Sequence, residues 1–263
     1  MQTSVYRSLK KQAEQAIEID DYLVVEAPIE IQINSKPFTM VMRTPGNDQH
    51  LLRGLLYAED IYKGQNPPKI ISSETDKNGF TKVNLEINQT ELGSAYLNKR
   101  SLLSVSSCGI CGKQELGDIS HNSKPLRNIS KLNFDKIPDM FEIMRSKQYT
   151  FDLTGGSHAA VIFDKNHKFL CIHEDIGRHN AVDKCIGDLL NSNRLKQASF
   201  MLVSGRVSYE IISKAFFAKI NTIVAVSACS SLAVDYAKEF GICLIGFSRQ
   251  GKSTIYSNPS NIL

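Results

Sequence analysis

Phe200-Met201-Leu202-Val203-Ser204-Gly205-Arg206, Thr222-Ile223-Val224-Ala225-Val226-Ser227-Ala228-Cys229-Ser230-Ser231 and Ile242-Cys243-Leu244-Ile245-Gly246-Phe247-Ser248-Arg249-Gln250-Gly251-Lys252 repeat one pattern. Each is a short apolar run that breaks into a polar turn. The intervening stretches, residues 208–219 and 231–240, read as helices. In the first of them Ile211, Ile212, Ala215 and Phe216 fall on one side. Buried strands alternating with amphipathic helices predict βαβ units and a parallel sheet covered on both faces.

Ligands of such sheets collect outside the carboxyl ends of the strands, where these three turns lie. The first two lead into helix N-termini, whose free N–H groups favour phosphate. Small residues let an anion approach the backbone, and Arg206, Arg249 and Lys252 add positive charge. A nucleotide-like ligand is one reading of the three turns; plain structural turns are the other.

Upstream, a helix is expected over residues 135–146. A hairpin follows, with strands at 159–163 and 169–172 turned by Asp164-Lys165-Asn166, and then a helix at 180–190. The first part of the chain has a different rhythm. Ile29, Ile31 and Ile33 alternate onto one face before Asn34-Ser35-Lys36-Pro37 turns the chain into a second strand. Asn47 is placed to cap a helix carrying Leu51, Leu52, Leu55 and Leu56. Two further strands are expected near 69–73 and 80–87, turned by Lys77-Asn78-Gly79, with a short helix near 91–98. The expected organisation is an antiparallel, strand-rich part over residues 1–120, a polar linker over 121–134 and an α/β domain over 135–263.

Composition narrows the function. With 42% hydrophobic residues in 263, the chain can bury a sizeable core. Lys plus Arg exceeds Asp plus Glu by 31 to 27, too mild a balance to suggest broad nucleic-acid binding. No apolar run approaches the roughly 20 residues that cross a bilayer, and Met1 to Lys11 lacks the apolar core of a secretory signal. A soluble cytoplasmic protein is expected, with no membrane contact.

Of six cysteines, Cys171, Cys185 and Cys243 sit in apolar segments and read as core thiols. Only Cys108 and Cys111 form a spaced pair, in Cys108-Gly109-Ile110-Cys111-Gly112. Structural zinc needs about four ligands, and no second such pair exists. His121, His158, His173 and His179 do not stand in paired ligand spacing, so no metal site is assigned. A thioredoxin-like redox pair belongs between a strand and a helix, not in a glycine-rich stretch ahead of the α/β region. A sulfur relay needs an exposed, movable thiolate with cations nearby; Gly109, Gly112, Arg100 and Lys113 suit that. Two incidental cysteines in a loop remain the fourth reading, and spacing does not choose among them.

Longer blocks do. Ser106-Ser107-Cys108-Gly109-Ile110-Cys111-Gly112, Thr154-Gly155-Gly156-Ser157-His158-Ala159-Ala160 and the run from Glu174 to Lys184 occur in order along the chain. So do Met42-Arg43-Thr44-Pro45, Ser204-Gly205-Arg206, Gly246-Phe247-Ser248-Arg249 and Ile255-Tyr256. Together they resemble the formate dehydrogenase accessory sulfurtransferases, the FdhD/NarQ family. The resemblance implies a cytidine deaminase-like, three-layer C-terminal α/β domain (α+β overall) and a homodimer. It implies that Cys108 carries a persulfide, with Cys111 as its helper. The sulfur would come from a cysteine desulfurase and go to the bis-guanine-dinucleotide molybdenum cofactor, a cargo destined for the formate dehydrogenase catalytic subunit. It also implies that Phe247, Ser248, Arg249, Gln250, Gly251 and Lys252 hold the guanine nucleotide end. Ser204, Gly205, Arg206 and Ser227 are expected to complete that site.

One departure is Cys229, where the family usually has proline in a Ser-Ala-Pro-Thr-Ser turn; the exchange relaxes φ and frees an N–H. Gly156, Ser157, His158 and the Glu174–His179 run are expected to border the same cleft, the histidines as hydrogen-bonding elements. Two rivals remain. A zinc deaminase needs His-x-Glu with Pro-Cys-x-x-Cys, and neither is present: Ser107 precedes Cys108 and His173-Glu174 are adjacent. A non-catalytic delivery chaperone shares the nucleotide turns and dispenses with the persulfide.

Overall fold

The computed structural model describes residues 1–13, 15–93, 96, 124–127 and 130–263. Cys108 and Cys111 lie outside the described residues, as do residues 94, 95, 97 and 98 of the helix expected near 91–98; at its start a 3-10 turn at Gln89–Glu91 is described, and Leu92 bridges to Tyr62.

The pattern of residues 200–252 folds as β9 (Ala198–Val203), α5 (Tyr209–Phe217), β10 (Thr222–Ala225), α6 (Ser231–Phe240) and β11 (Cys243–Arg249). Strands β9, β10 and β11 pair in parallel. The sheet is mixed rather than wholly parallel. At one edge β12 (Lys252–Ser257) pairs antiparallel with β11, and at the other β7 (His158–Asp164) runs antiparallel to β9 and to β8 (Phe169–Asp175). The sheet order is β12-β11-β10-β9-β7-β8. Strand β12 was not foreseen, because Ser248 to Lys252 reads as a polar turn; it is the tip of a hairpin.

Both faces of this sheet are covered. Ala160, Ile162, Met201, Val203, Ile223 and Ala225 pack against α4 (Arg178–Asn191), α5 and α6. Their sequence neighbours Val161, Phe163, Phe200, Leu202 and Val224 face the other way, onto Ile137, Met140 and Met144 of α2 (Ile137–Arg145). The period of two in a strand divides one apolar run between two cores. A short helix, α3 (Tyr149–Thr154), follows α2.

The first part of the chain forms a four-stranded sheet of order β4-β3-β6-β5. Its strands are β3 (Ala27–Ile33), β4 (Lys36–Arg43), β5 (Lys69–Thr75) and β6 (Thr81–Glu86). The two expected hairpins are present, but they join through a parallel β3–β6 pair, so this sheet too is mixed. Ile29, Ile31, Ile33, Val83 and Leu85 pack on Leu51, Leu52, Leu55 and Leu56 of α1 (Asp48–Ala58). Asn47 stands at the helix start with φ 57°, and its side chain makes no capping bond. Ahead of this sheet, β1 (Thr3–Gln12) and β2 (Gln15–Val24) make a separate hairpin that the polar N-terminus did not announce.

Helix α1 also holds the two sheets together. Its back meets α4 at a crossing where Gly54 and Gly187 bring the backbones into contact. A Cβ on Gly54 would run into the carbonyl oxygen of Asp183, and one on Gly187 into that of His50. Beside the crossing, buried Lys214 of α5 reaches Asp183 at 2.8 Å and Glu59 at 3.1 Å. The expected linker does not hang free where it is described: Leu126 N–H donates to Phe240 O, and buried Leu132 bridges to Ile262.

Candidate functional site

A cavity of about 1040 Å³ opens at the carboxyl ends of β9, β10 and β11, on the α2 side of the sheet. Ser204, Val226 and Ser248 form its floor, one from the end of each parallel strand. The β11–β12 hairpin supplies one wall, from Ser248 to Ser253. Ile137, Phe141, Met144 and Phe151 supply an apolar wall opposite. Gly156, Ser157 and His158 close the side next to β7.

Six of the ten residues expected at the nucleotide site therefore line this cavity: Ser204, Ser248, Arg249, Gln250, Gly251 and Lys252. Phe247, Gly205, Arg206 and Ser227 do not line it. Phe247 adopts φ 52°, and its N–H donates to Ser227 O at 3.0 Å, tying the ends of β10 and β11 together. Gly205 is buried against the His158 ring, and exposed Arg206 lies near the same histidine. These four shape the rim; they do not face the space.

The hairpin tip carries the charge. Gln250 (φ 52°) and Gly251 (φ 72°) are both left-handed, as a two-residue type I′ turn demands. Gly251 adopts this readily, whereas Gln250 is strained, the kind of outlier that collects at functional loops. The turn sets Arg249 directly opposite Lys252 in the strand register. Like charges facing each other across a ladder repel. Both are exposed, and neither has an ion-pair partner among the described residues. Behind them Ser253 Oγ–H donates to Ser248 Oγ at 2.8 Å and fixes the hairpin's inner face.

His158 sits half-buried in the cavity wall. Burial, then the guanidinium groups of Arg178 and Arg206, hold it below its ordinary pKa against the opposing pull of Asp175. It is a neutral imidazole at pH 7, and an anion arriving in the cavity raises its proton affinity. Ser204 is held by two bonds to Ala159: its Oγ accepts from Ala159 N–H at 2.9 Å, and its N–H donates to Ala159 O at 3.0 Å.

The Glu174–Lys184 run is not cavity lining. Glu174 accepts from Thr150 N–H, Phe151 N–H (each 2.8 Å) and Ser157 Oγ (2.7 Å), so it fixes the start of α3 and the glycine segment behind it. Fully buried Asp175 pairs with Lys184 at 2.6 Å and accepts from Thr44 N–H, Gly177 N–H and Asn180 Nδ2. Lys184 Nζ in turn donates to Thr44 O at 2.8 Å. His179 Nε2 lies 2.9 Å from Ser208 Oγ, a hydrogen-bonding role. The run is a buried polar joint between the two sheets, one step removed from the cavity.

Sequence reading missed the apolar wall. The spacing of Ile137, Phe141 and Met144 at i, i+4 and i+7 marks an amphipathic helix, but does not say that this stripe, besides packing on the sheet, also borders a cavity at the strand ends. Cys171, Cys185 and Cys243 are buried as expected, and Cys229 is partly buried against Gly246. Burial pushes the Cys229 thiol up to about 11, so it packs and does not act as a nucleophile near neutral pH.

Comparison with known proteins agrees with these blocks. The pattern of the FdhD/NarQ family matches residues 24–263. The sulfur carrier protein FdhD of Sulfolobus acidocaldarius is 38% identical over 244 residues, 92% of each chain. That of Streptomyces coelicolor is 36% identical over 251 residues, covering 92% of this chain and 89% of its own. In structure, a protein from Desulfotalea psychrophila described as a formate dehydrogenase accessory protein superimposes over the whole of both chains with a TM-score of 0.74 at 20% identity, a likeness of fold.

Proposed function

We propose, from the premise that this chain belongs to the FdhD/NarQ family, that it is a sulfur carrier serving formate dehydrogenase. Cys108 takes sulfane sulfur from the persulfide of a cysteine desulfurase. The Cys108 thiolate attacks the terminal sulfur, the donor's S–S bond breaks as the new one forms, and the donor cysteine leaves as thiolate. No electrons are gained or lost in that step. Release of the sulfur as sulfide needs two electrons; Cys111 supplies them by attacking Cys108 Sγ, which leaves a Cys108–Cys111 disulfide.

The recipient is the bis-guanine-dinucleotide molybdenum cofactor, held as cargo in the cavity at the strand ends. The observation that carries this part is the unneutralised Arg249–Lys252 pair at the cavity mouth. A pyrophosphate between them replaces repulsion by two charge-assisted contacts. The apolar wall and 1040 Å³ of space suit the rings of a large nucleotide-bearing molecule. We place the carrier in the cytoplasm as a homodimer that meets the desulfurase and the catalytic subunit in turn. Among the described residues no helix is long and apolar enough to cross a membrane.

The test combines two readouts on the full chain. Incubation with a cysteine desulfurase and labelled cysteine should place one sulfur atom on Cys108, located by non-reducing mass spectrometry. The label should vanish in Cys108→Ala and persist in Cys229→Ala. GDP binding should weaken about tenfold or more in Arg249→Ala/Lys252→Ala, in keeping with about 1.5–3 kcal/mol for a hydrogen bond to a charged group. GDP binding without any sulfur on Cys108 would leave a delivery chaperone as the better account.

A further inference from the structure

Away from the cavity, three side chains from three elements converge where the two sheets meet. His50 comes from α1, His173 from β8 and Asp188 from α4. One ring nitrogen of each histidine and one carboxylate oxygen of Asp188 all lie within 4.8 Å of one another. None of the three lines the cavity. We propose that His50, His173 and Asp188 form a binding site for a divalent transition-metal ion, zinc in the first instance, that clamps the first sheet's helix to the second sheet.

The donor set is the first argument. Two imidazoles and one carboxylate are ligands that suit zinc and its first-row neighbours and are poorly matched to magnesium or calcium, which prefer all-oxygen shells. Three protein ligands leave a coordination position for water.

The second argument is an unmet bond. His50 Nδ1 is buried without a hydrogen-bond partner. A buried polar atom left unsatisfied costs about 1–3 kcal/mol, and a native fold keeps few of them. A neutral imidazole nitrogen presents a lone pair, the form in which histidine ligates a metal.

The third argument is rigidity. Zinc bonds of about 2.0–2.1 Å put tetrahedral ligand atoms about 3.4 Å apart. His173 Nε2 and Asp188 Oδ2, now 2.9 Å apart, need open only slightly, and His50, within 4.8 Å of both, reaches zinc-bonding distance by side-chain rotation. The backbones need not move, because the Gly54–Gly187 crossing already fixes α1 on α4, with the His50 carbonyl against Gly187. Zinc replaces the proton shared between His173 and Asp188; that proton goes to solvent or to the other ring nitrogen. Of the cations near the three side chains, Lys184 is paired with Asp175 at 2.6 Å, and Arg194 lies on the Asp188 side.

The test uses untagged full-length protein and a Cys108→Ser/Cys111→Ser form, so that thiolates do not compete for the ion. Titration with zinc sulfate should give one ion per chain with a micromolar or tighter Kd, raise Tm by several degrees, and leave magnesium without effect. Cobalt(II) should develop visible d–d bands without a thiolate charge-transfer band. His50→Gln and Asp188→Asn should each weaken zinc binding at least 30-fold. His50→Gln should lower the metal-free Tm by no more than a few degrees, since Nδ1 makes no hydrogen bond and only the ring contact with His173 is lost. Absence of binding at millimolar zinc in the serine form overturns the proposal. Binding unchanged by His50→Gln and Asp188→Asn overturns it too, and puts the ion elsewhere.

Discussion

At the scale of single residues, the run Glu174 to Lys184 shows how a motif can be essential to a site it does not line. Lys184 and Asp175 are both fully buried and paired at 2.6 Å. Such a pair adds little over an apolar replacement, yet removing one partner strands the other charge in a low-dielectric interior. Lys184→Met should therefore destabilise the fold by about 3–5 kcal/mol in urea unfolding. Adding Asp175→Asn should restore part of that loss, because the neutral amide removes the stranded charge and keeps one oxygen for the Gly177 N–H, while its NH2 replaces the oxygen that accepts from Thr44 N–H. A double-mutant cycle measures the coupling. Had the run been cavity lining, Lys184→Met would leave stability intact and weaken ligand binding alone. The sequence shows that these residues stand together; that they face inward, onto Thr44 some 130 positions earlier, is decided by packing.

Among the elements, the α1–α4 crossing is the most sharply constrained contact. The apolar face of α1 is legible as Leu51, Leu52, Leu55 and Leu56, but its opposite face carries the glycine that lets α4 approach. Gly54→Ala should destabilise the protein by about 3 kcal/mol or more, since the added methyl meets backbone of a helix that cannot give way. Gly155→Ala is the contrast. Gly155 ends α3 at φ 64° with nothing within reach of an added Cβ, so only the backbone strain of about 1 kcal/mol is expected. Thermal unfolding of the two variants separates collision from strain. Capping gives a similar lesson. Asn47 is at the start of α1 as its residue type suggests, but its left-handed backbone directs the side chain elsewhere.

For the whole molecule, the β1–β2 hairpin is the piece the rest least requires. None of its residues belongs to the three core clusters. It is attached by Thr150 Oγ1 to Gln2 Oε1 at 3.0 Å, by Val24 against Gly156, and by the approach of both its strands to α3. Removing residues 1–24 should leave both sheets folded and cost no more than about 2 kcal/mol in guanidinium unfolding. Loss of cooperative unfolding in the shortened chain would show that the hairpin is part of the core assembly. The three parallel strands of the second sheet, by contrast, carry their identity in their own residues. Runs such as Phe200 to Val203 are buried on both faces, as strands in a sheet covered on both sides require. The cavity follows from those strands, because their carboxyl ends must open somewhere, and the charged tip Arg249 to Lys252 stands where one of them ends. What the sequence by itself determined was local: strand and helix periods, the apolar identity of the layers, the turns after β9, β10 and β11, and the blocks that mark the family. Tertiary structure alone decided the antiparallel edges of the second sheet, the parallel β3–β6 pair, the inward turn of Asp175 and Lys184, the apolar wall from α2 and the meeting of His50, His173 and Asp188. The division has one physical cause. Periodicity and turn chemistry act between neighbours in the chain, whereas a cavity or a convergence of side chains depends on how elements far apart in sequence exclude water from one another.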